Sequence, residues 1–109
     1  MSGQSTTALF YQGASGPNDT RATLVSVSIE IALLVTGVET YEKVVKLLKR
    51  NYNCHILNCY KHPEYLNTVL SKLEGETRYR IIKIIKEELE EYSYIKQISK
   101  FLDTLCNNI

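Results

Sequence analysis

Four successive segments place their apolar residues at spacings of three and four, the signature of helices that bury one stripe. In the first, Tyr41, Val44, Val45, Leu48 and Tyr52 fall on one face, predicting a helix over about residues 39–51. Glu39 and Glu42 sit in its first turn and Lys49 and Arg50 in its last, the arrangement the helix dipole favours. In the second, His62 and Pro63 stop the preceding chain. Pro63 suits a first helical position because the amide hydrogen it lacks would be unpaired there anyway. The stripe Tyr65, Leu66, Val69, Leu70 and Leu73 follows, with Gly75 expected to close a helix of about three turns. In the third, Tyr79, Ile82, Ile85, Leu89 and Tyr92 form one face that Ile81 and Ile84 broaden, as expected of a central helix. After Ser93, the residues Ile95, Ile98, Phe101, Leu102 and Leu105 define a last helix ending near Cys106.

The region before these segments is ambiguous. Val25, Val27, Ile29 and Ile31 alternate with Ser26, Ser28 and Glu30 as a half-buried strand would, yet residues 29–35 also suit a buried helix. A strand needs a partner, and no second segment of the same kind exists in the chain, so a helix over about residues 23–36 ending at Gly37 is expected. Residues 1–22 hold three of the five glycines, six Ser or Thr and only two charges, Asp19 and Arg21. Such a stretch buries little to offset its ordering entropy, so it is expected to be a flexible tail, with one apolar cluster at residues 8–11. The expected fold is all-α: a compact bundle of four to five short helices over residues 23–109, a disordered N-terminal tail, and one longer loop over residues 53–61.

Charge and composition narrow the function classes. In 109 residues, thirteen Lys and Arg face twelve Asp and Glu, a net charge of +1 that supplies no global field for nucleic acid or an anionic membrane. Three cysteines, Cys54, Cys59 and Cys106, without a secretory leader, suggest a reducing cytoplasm. The apolar run over residues 24–35 is too short to span a bilayer and carries Glu30, so a soluble chain with no membrane partner is expected.

Catalytic motifs are absent from the pattern. There is no nucleophile elbow, phosphate loop or dinucleotide fingerprint, and the glycines Gly13 and Gly16 lie in the tail with no strand before them. The sequence suggests no enzyme and no cofactor. Both histidines and two cysteines lie within Cys54, His55, Cys59 and His62, all from one short stretch, which matches no common zinc spacing. The plain reading makes Cys54, Leu57 and Cys59 small buried hydrophobes and His62 a cap or surface residue; a metal or redox sensor at Cys54, Cys59 and His62 is the alternative.

Lys43, Lys46, Lys49 and Arg50 share about a third of the circumference of their helix, giving a basic strip. Arg78, Arg80, Lys83 and Lys86 add positive charge later, but Glu87, Glu88, Glu90 and Glu91 follow at once and would repel a phosphate backbone. This plus-then-minus pattern suits an oriented contact with a protein. Eight tyrosines favour the same reading; Tyr11, Tyr60 and Tyr94 are expected to be exposed, and Tyr41, Tyr65 and Tyr79 to lie in or beside the core.

The stretch Gly37, Val38, Glu39, Thr40, Tyr41, then Tyr52, Asn53, Cys54, then Cys59, Tyr60, Lys61, His62, Pro63, Glu64, Tyr65, Leu66 resembles the Nitrosopumilus output domain family. The run His62, Pro63, Glu64, Tyr65, Leu66 is its most specific element, and the likeness extends over about residues 29–102. The resemblance implies a small helical domain without established biochemical activity, found beside receiver or other signalling modules in archaeal regulators. It also favours helix over residues 29–35. This chain departs from that arrangement in having only a short tail where a receiver would sit, as a stand-alone copy or an excised domain would. The leading expectation is therefore a non-enzymatic signalling output or protein-interaction module, contacting a protein partner or a second copy through a surface that includes Lys43, Lys46, Lys49, Arg50, Tyr60 and Tyr94. A nucleic-acid-binding transcriptional regulator is the first alternative.

Overall fold

The computed structural model describes residues 17–106, and these form five α-helices and two short 3-10 turns with no strand among them. The helices are α1 (Pro17–Thr36), α2 (Val38–Tyr52), α3 (Pro63–Leu70), α4 (Gly75–Leu89) and α5 (Lys96–Cys106). The all-α bundle expected from the apolar spacing is therefore present. Residues 1–16 and 107–109, with the expected apolar cluster at 8–11 and Tyr11, lie outside the described residues.

Helix α1 begins at Pro17, six residues before the expected start, so residues 17–22 belong to the helix rather than to the tail expected over 1–22. Proline is well tolerated at a first helical position, and a helix that packs along others draws its stability from that packing more than from local composition. The helix ends at Thr36, and Gly37 turns the chain with φ 151° and ψ 146°, a left-handed conformation that side chains other than glycine rarely adopt. The turn is held by the Gly37 N–H donating to the Leu33 carbonyl at 3.0 Å and the Tyr41 N–H donating to the Gly37 carbonyl at 3.0 Å.

The C-terminus of α2 closes on Asn53, which adopts the left-handed conformation (φ 51°, ψ 44°). Its N–H donates to the Lys49 carbonyl at 3.0 Å, and the Cys54 N–H donates to the Leu48 carbonyl at 3.2 Å. These bonds pair carbonyls that the helix end would leave unsatisfied, and asparagine tolerates the conformation better than most residues. The following loop is not unstructured: residues Ile56–Tyr60 form a 3-10 turn, opened by a reciprocal pair in which the His55 N–H donates to Asn58 Oδ1 (3.2 Å) and the Asn58 N–H to the His55 carbonyl (2.9 Å).

Helix α3 stops at Leu70, a turn earlier than the stripe ending at Leu73 suggested, and Gly75 is the first residue of α4 rather than a cap on α3. The Ser71 hydroxyl donates to the Thr68 carbonyl and the Leu73 N–H to the Leu70 carbonyl, which turns the chain before Leu73. Leu73 still packs on the core from this turn.

One hydrophobic core joins all five helices. Helix α1 contributes Val25, Ile29, Ala32 and Leu33; α2 contributes Val44 and Leu48; α3 contributes Leu66, Val69 and Leu70; α4 contributes Ile81, Ile82, Ile85 and Leu89; α5 contributes Ile98, Phe101 and Leu105. Each fully buried side chain of this size stabilises the fold by about 1.5–3 kcal/mol. Helices α1 and α4 make the broadest contact, with α1 also against the 3-10 turn and α2, and α3 packed on α5. The expected central role of α4 is thus shared with α1. No helix among the described residues is long and apolar enough to cross a membrane.

Candidate functional site

The side chains on the outside of α1 differ from those on every other helix. From residue 20 on, its exposed residues are Thr20, Thr23, Val27, Ile31, Leu34 and Val35, none of them charged. By contrast, the exposed faces of α2, α4 and α5 are carried by residues such as Glu42, Lys46, Lys83, Glu87, Lys100 and Asp103. Val27, Ile31, Leu34 and Val35 recur at helical spacing, and Val38, the first residue of α2 beyond the turn at Gly37, is exposed as well. Their exposed fractions run from 37 to 61%. Helix α1 is therefore apolar on two opposite sides. A helix of that kind is normally enclosed on both. Singly exposed apolar residues are ordinary, and an uncharged row at helical spacing is a candidate contact surface.

The ambiguous alternation in the sequence has a direct explanation here. Residues two apart on a helix differ by about 200°, so alternate apolar residues distribute over both faces. Val25 and Ile29 are buried, and Val27 and Ile31 are exposed.

Lys43, Lys46, Lys49 and Arg50 are all exposed on α2, and none makes an ion pair with another described residue. Tyr94, 82% exposed, stands on the connection into α5 as expected. Tyr60 does not: it is half-buried in the 3-10 turn with its hydroxyl enclosed and without a hydrogen-bond partner among the described residues. It packs against the core because the 3-10 turn folds the loop onto α1 and α3. Tyr79, expected beside the core, is 55% exposed instead. Ile81 and Ile82 take the buried positions in that turn of α4. Tyr41 and Tyr65 are half-buried at the edge of the core, as expected.

The cysteine-histidine stretch is organised by its backbone. Cys54 and Cys59 are buried, and both thiols donate to the His55 carbonyl, Cys54 Sγ at 3.3 Å and Cys59 Sγ at 3.8 Å. Burial raises the thiol pKa of Cys54, a hydrogen bond with Cys59 opposes the shift, and the Glu64 carboxylate nearby adds to it. Burial likewise pushes Cys59 far up, with the neighbouring Cys54 adding to the shift. Both thiols are therefore weakly nucleophilic in this state, because the thiolate is the attacking form. Leu57, expected to be buried with them, is exposed, and Ile56 occupies the core in its place. His62 is exposed at the start of α3, where Nδ1 lies 3.5 Å from Glu64 Oε2 and the ring stacks on Tyr65 at 4.7 Å. Tyr65 stacks in turn on Tyr52 at 4.3 Å, so three rings run from α2 to α3. The sequence reading missed this stack, although Tyr52, His62 and Tyr65 flank one loop. Among the described residues no group of three or more His, Cys, Asp or Glu gathers as metal ligands.

A depression of about 370 Å³ is lined by Tyr60, Lys61, Pro63, Gln97, Lys100 and Phe101. Comparison with protein-family models, curated proteins and solved structures finds no match for the chain.

Proposed function

We propose that this chain is a non-enzymatic protein-interaction module, and that its contact surface is the uncharged row Val27, Ile31, Leu34, Val35 and Val38. The observation that carries this reading is the exposure of four large apolar residues, Val27, Ile31, Leu34 and Val35, at helical spacing on α1, with Val38 exposed just beyond them, while the outer faces of α2, α4 and α5 are carried mostly by charged residues. The chemistry elsewhere agrees with it. The two buried thiols are held protonated, and His62 engages Glu64 and Tyr65 rather than a nucleophile. The output role in an archaeal regulatory system, in the cytoplasm, follows from the family resemblance and is part of this proposal.

The test is capture from native lysate by the folded chain, compared with a Val27→Glu, Leu34→Glu variant of unchanged helicity. Loss of the captured protein in the variant is the expected result. Equal capture by both would show that the row is not the contact surface.

A second reading, binding of nucleic acid, is favoured by one observation: Lys43, Lys46, Lys49 and Arg50 are exposed together and carry no internal ion pairs among the described residues. It predicts retention of duplex DNA at low salt that weakens steeply as salt rises. A chain that fails to shift DNA at low salt excludes it.

A further inference from the structure

The partner seated on α1 is, we infer, a second copy of this chain, with the two α1 helices packed face to face across a two-fold axis near Ile31. This rests on the proposed contact surface and names its occupant. Three observations lead to it.

The first is charge. A surface shaped for a foreign partner commonly carries charges that set orientation and on-rate. The exposed row on α1 has none, and Glu30, half-buried on its flank, lines the depression shared with Ser26, Tyr41 and Val45, so the same row on another copy can meet it without placing a charge at the centre of the contact. The second is symmetry. Val27 and Val35 lie one turn to either side of Ile31, and an isologous contact pairs residue i with j and j with i, so apolar residues meet apolar ones along the row. With the helices antiparallel, Ile31 meets its own counterpart and Val27 meets Val35 of the other copy.

The third is area. Exposed fractions of 37 to 61% on five side chains leave on the order of 400 Å² of apolar surface on one protomer. A standard interface buries about 800 Å² per partner, of which somewhat more than half is apolar. The row therefore supplies most of the apolar core of a dimer of ordinary size, with the threonines Thr20 and Thr23 at its rim.

The experiment is sedimentation velocity on the pure full-length chain over a concentration series, with Ile31→Glu and Ile31→Lys measured singly and as an equimolar mixture. Wild type should move from one to two chain masses as concentration rises. Each variant alone should associate more than about a hundredfold more weakly, because it places two like charges together in a desolvated contact. The mixture should recover the two-chain species, which only residue 31 facing residue 31 of another copy can bring about. Far-UV circular dichroism verifies that the variants fold, and Leu34→Ser, which adds no charge, should weaken association by a smaller factor.

Wild type remaining one chain mass at every concentration overturns the inference and leaves α1 to residues 1–16 or to a different protein. So does a dimer that the variants leave unchanged, which would lie on another surface. The two proposals fail separately. A monomeric chain whose row variants still lose a captured protein removes only the second copy, whereas variants that keep capture and mass alike remove both.

Discussion

Asn67 Nδ2 donates to the Thr104 carbonyl at 3.2 Å, tying the middle of α3 to the last turn of α5. Asn67 is one of two buried polar residues among those described, and Thr104 lies near the end of its helix, where carbonyls lose their intrahelical partners. The bond therefore fixes where α5 docks. Replacing Asn67 with Ala is expected to lower unfolding free energy by about 1–3 kcal/mol, measured by urea denaturation. An unchanged midpoint would show that the docking of α5 does not depend on it.

Gly37 supports a sharper expectation. Its φ of 151° lies where a side chain strains the backbone, even though a Cβ would find open space, the nearest atom being Thr40 Oγ1 at 3.8 Å. Gly37→Ala should cost about 1–3 kcal/mol through backbone strain alone. Urea denaturation of the variant shows whether it does; a neutral substitution would mean that the joint between α1 and α2 relaxes to another conformation.

Much of this fold is legible in the sequence, and what is not has identifiable causes. Helix α2 follows from Tyr41, Val44, Leu48 and Tyr52, and α5 from Ile98, Phe101 and Leu105, because each helix has one apolar side and the core takes it. Helix α1 is apolar on both sides, so spacing alone cannot say which side is buried, and the exposed row went unrecognised. Tyr60 and Leu57 were misjudged for a related reason. A 3-10 turn advances its side chains differently from an α-helix or an extended loop, and here it turns Ile56 and Cys59 inward and Leu57 outward. The basic strip on α2 is legible directly from spacing, since Lys43, Lys46, Lys49 and Arg50 lie opposite much of the apolar stripe of that helix.

Asn53 offers a test of helix closure. It holds a left-handed conformation at φ 51° while its N–H pairs with the Lys49 carbonyl. Asn53→Gly should preserve or slightly raise thermal stability, and Asn53→Ala should lower unfolding free energy by about 1 kcal/mol. If both variants melt like the parent, the closure of α2 contributes nothing to stability.

Alkaline pH should weaken the fold through Cys54 and Cys59. Their folded pKa values are raised above the ordinary 9.0 by burial, so the unfolded chain gives up these protons first as pH rises. Stability from the protonated thiols is then full below about pH 9 and declines above it, by up to about 1.4 kcal/mol per pH unit for Cys59 and by less for Cys54. Urea midpoints of wild type and Cys59→Ala, followed between about pH 8 and pH 11, should show a shallower decline in the variant. Parallel curves would mean that Cys59 ionises as freely folded as unfolded.

The central claim is that α1 buries one apolar side and presents the other for contact. Methyl-resolved NMR of the dilute chain with a soluble paramagnetic agent reads this side by side. Strong relaxation of the Val27, Ile31, Leu34, Val35 and Val38 methyls, with Val25, Ile29 and Leu33 left sharp, is the predicted result. Protection of both sets in the dilute monomer, or relaxation of Val25 and Ile29 instead, would contradict it.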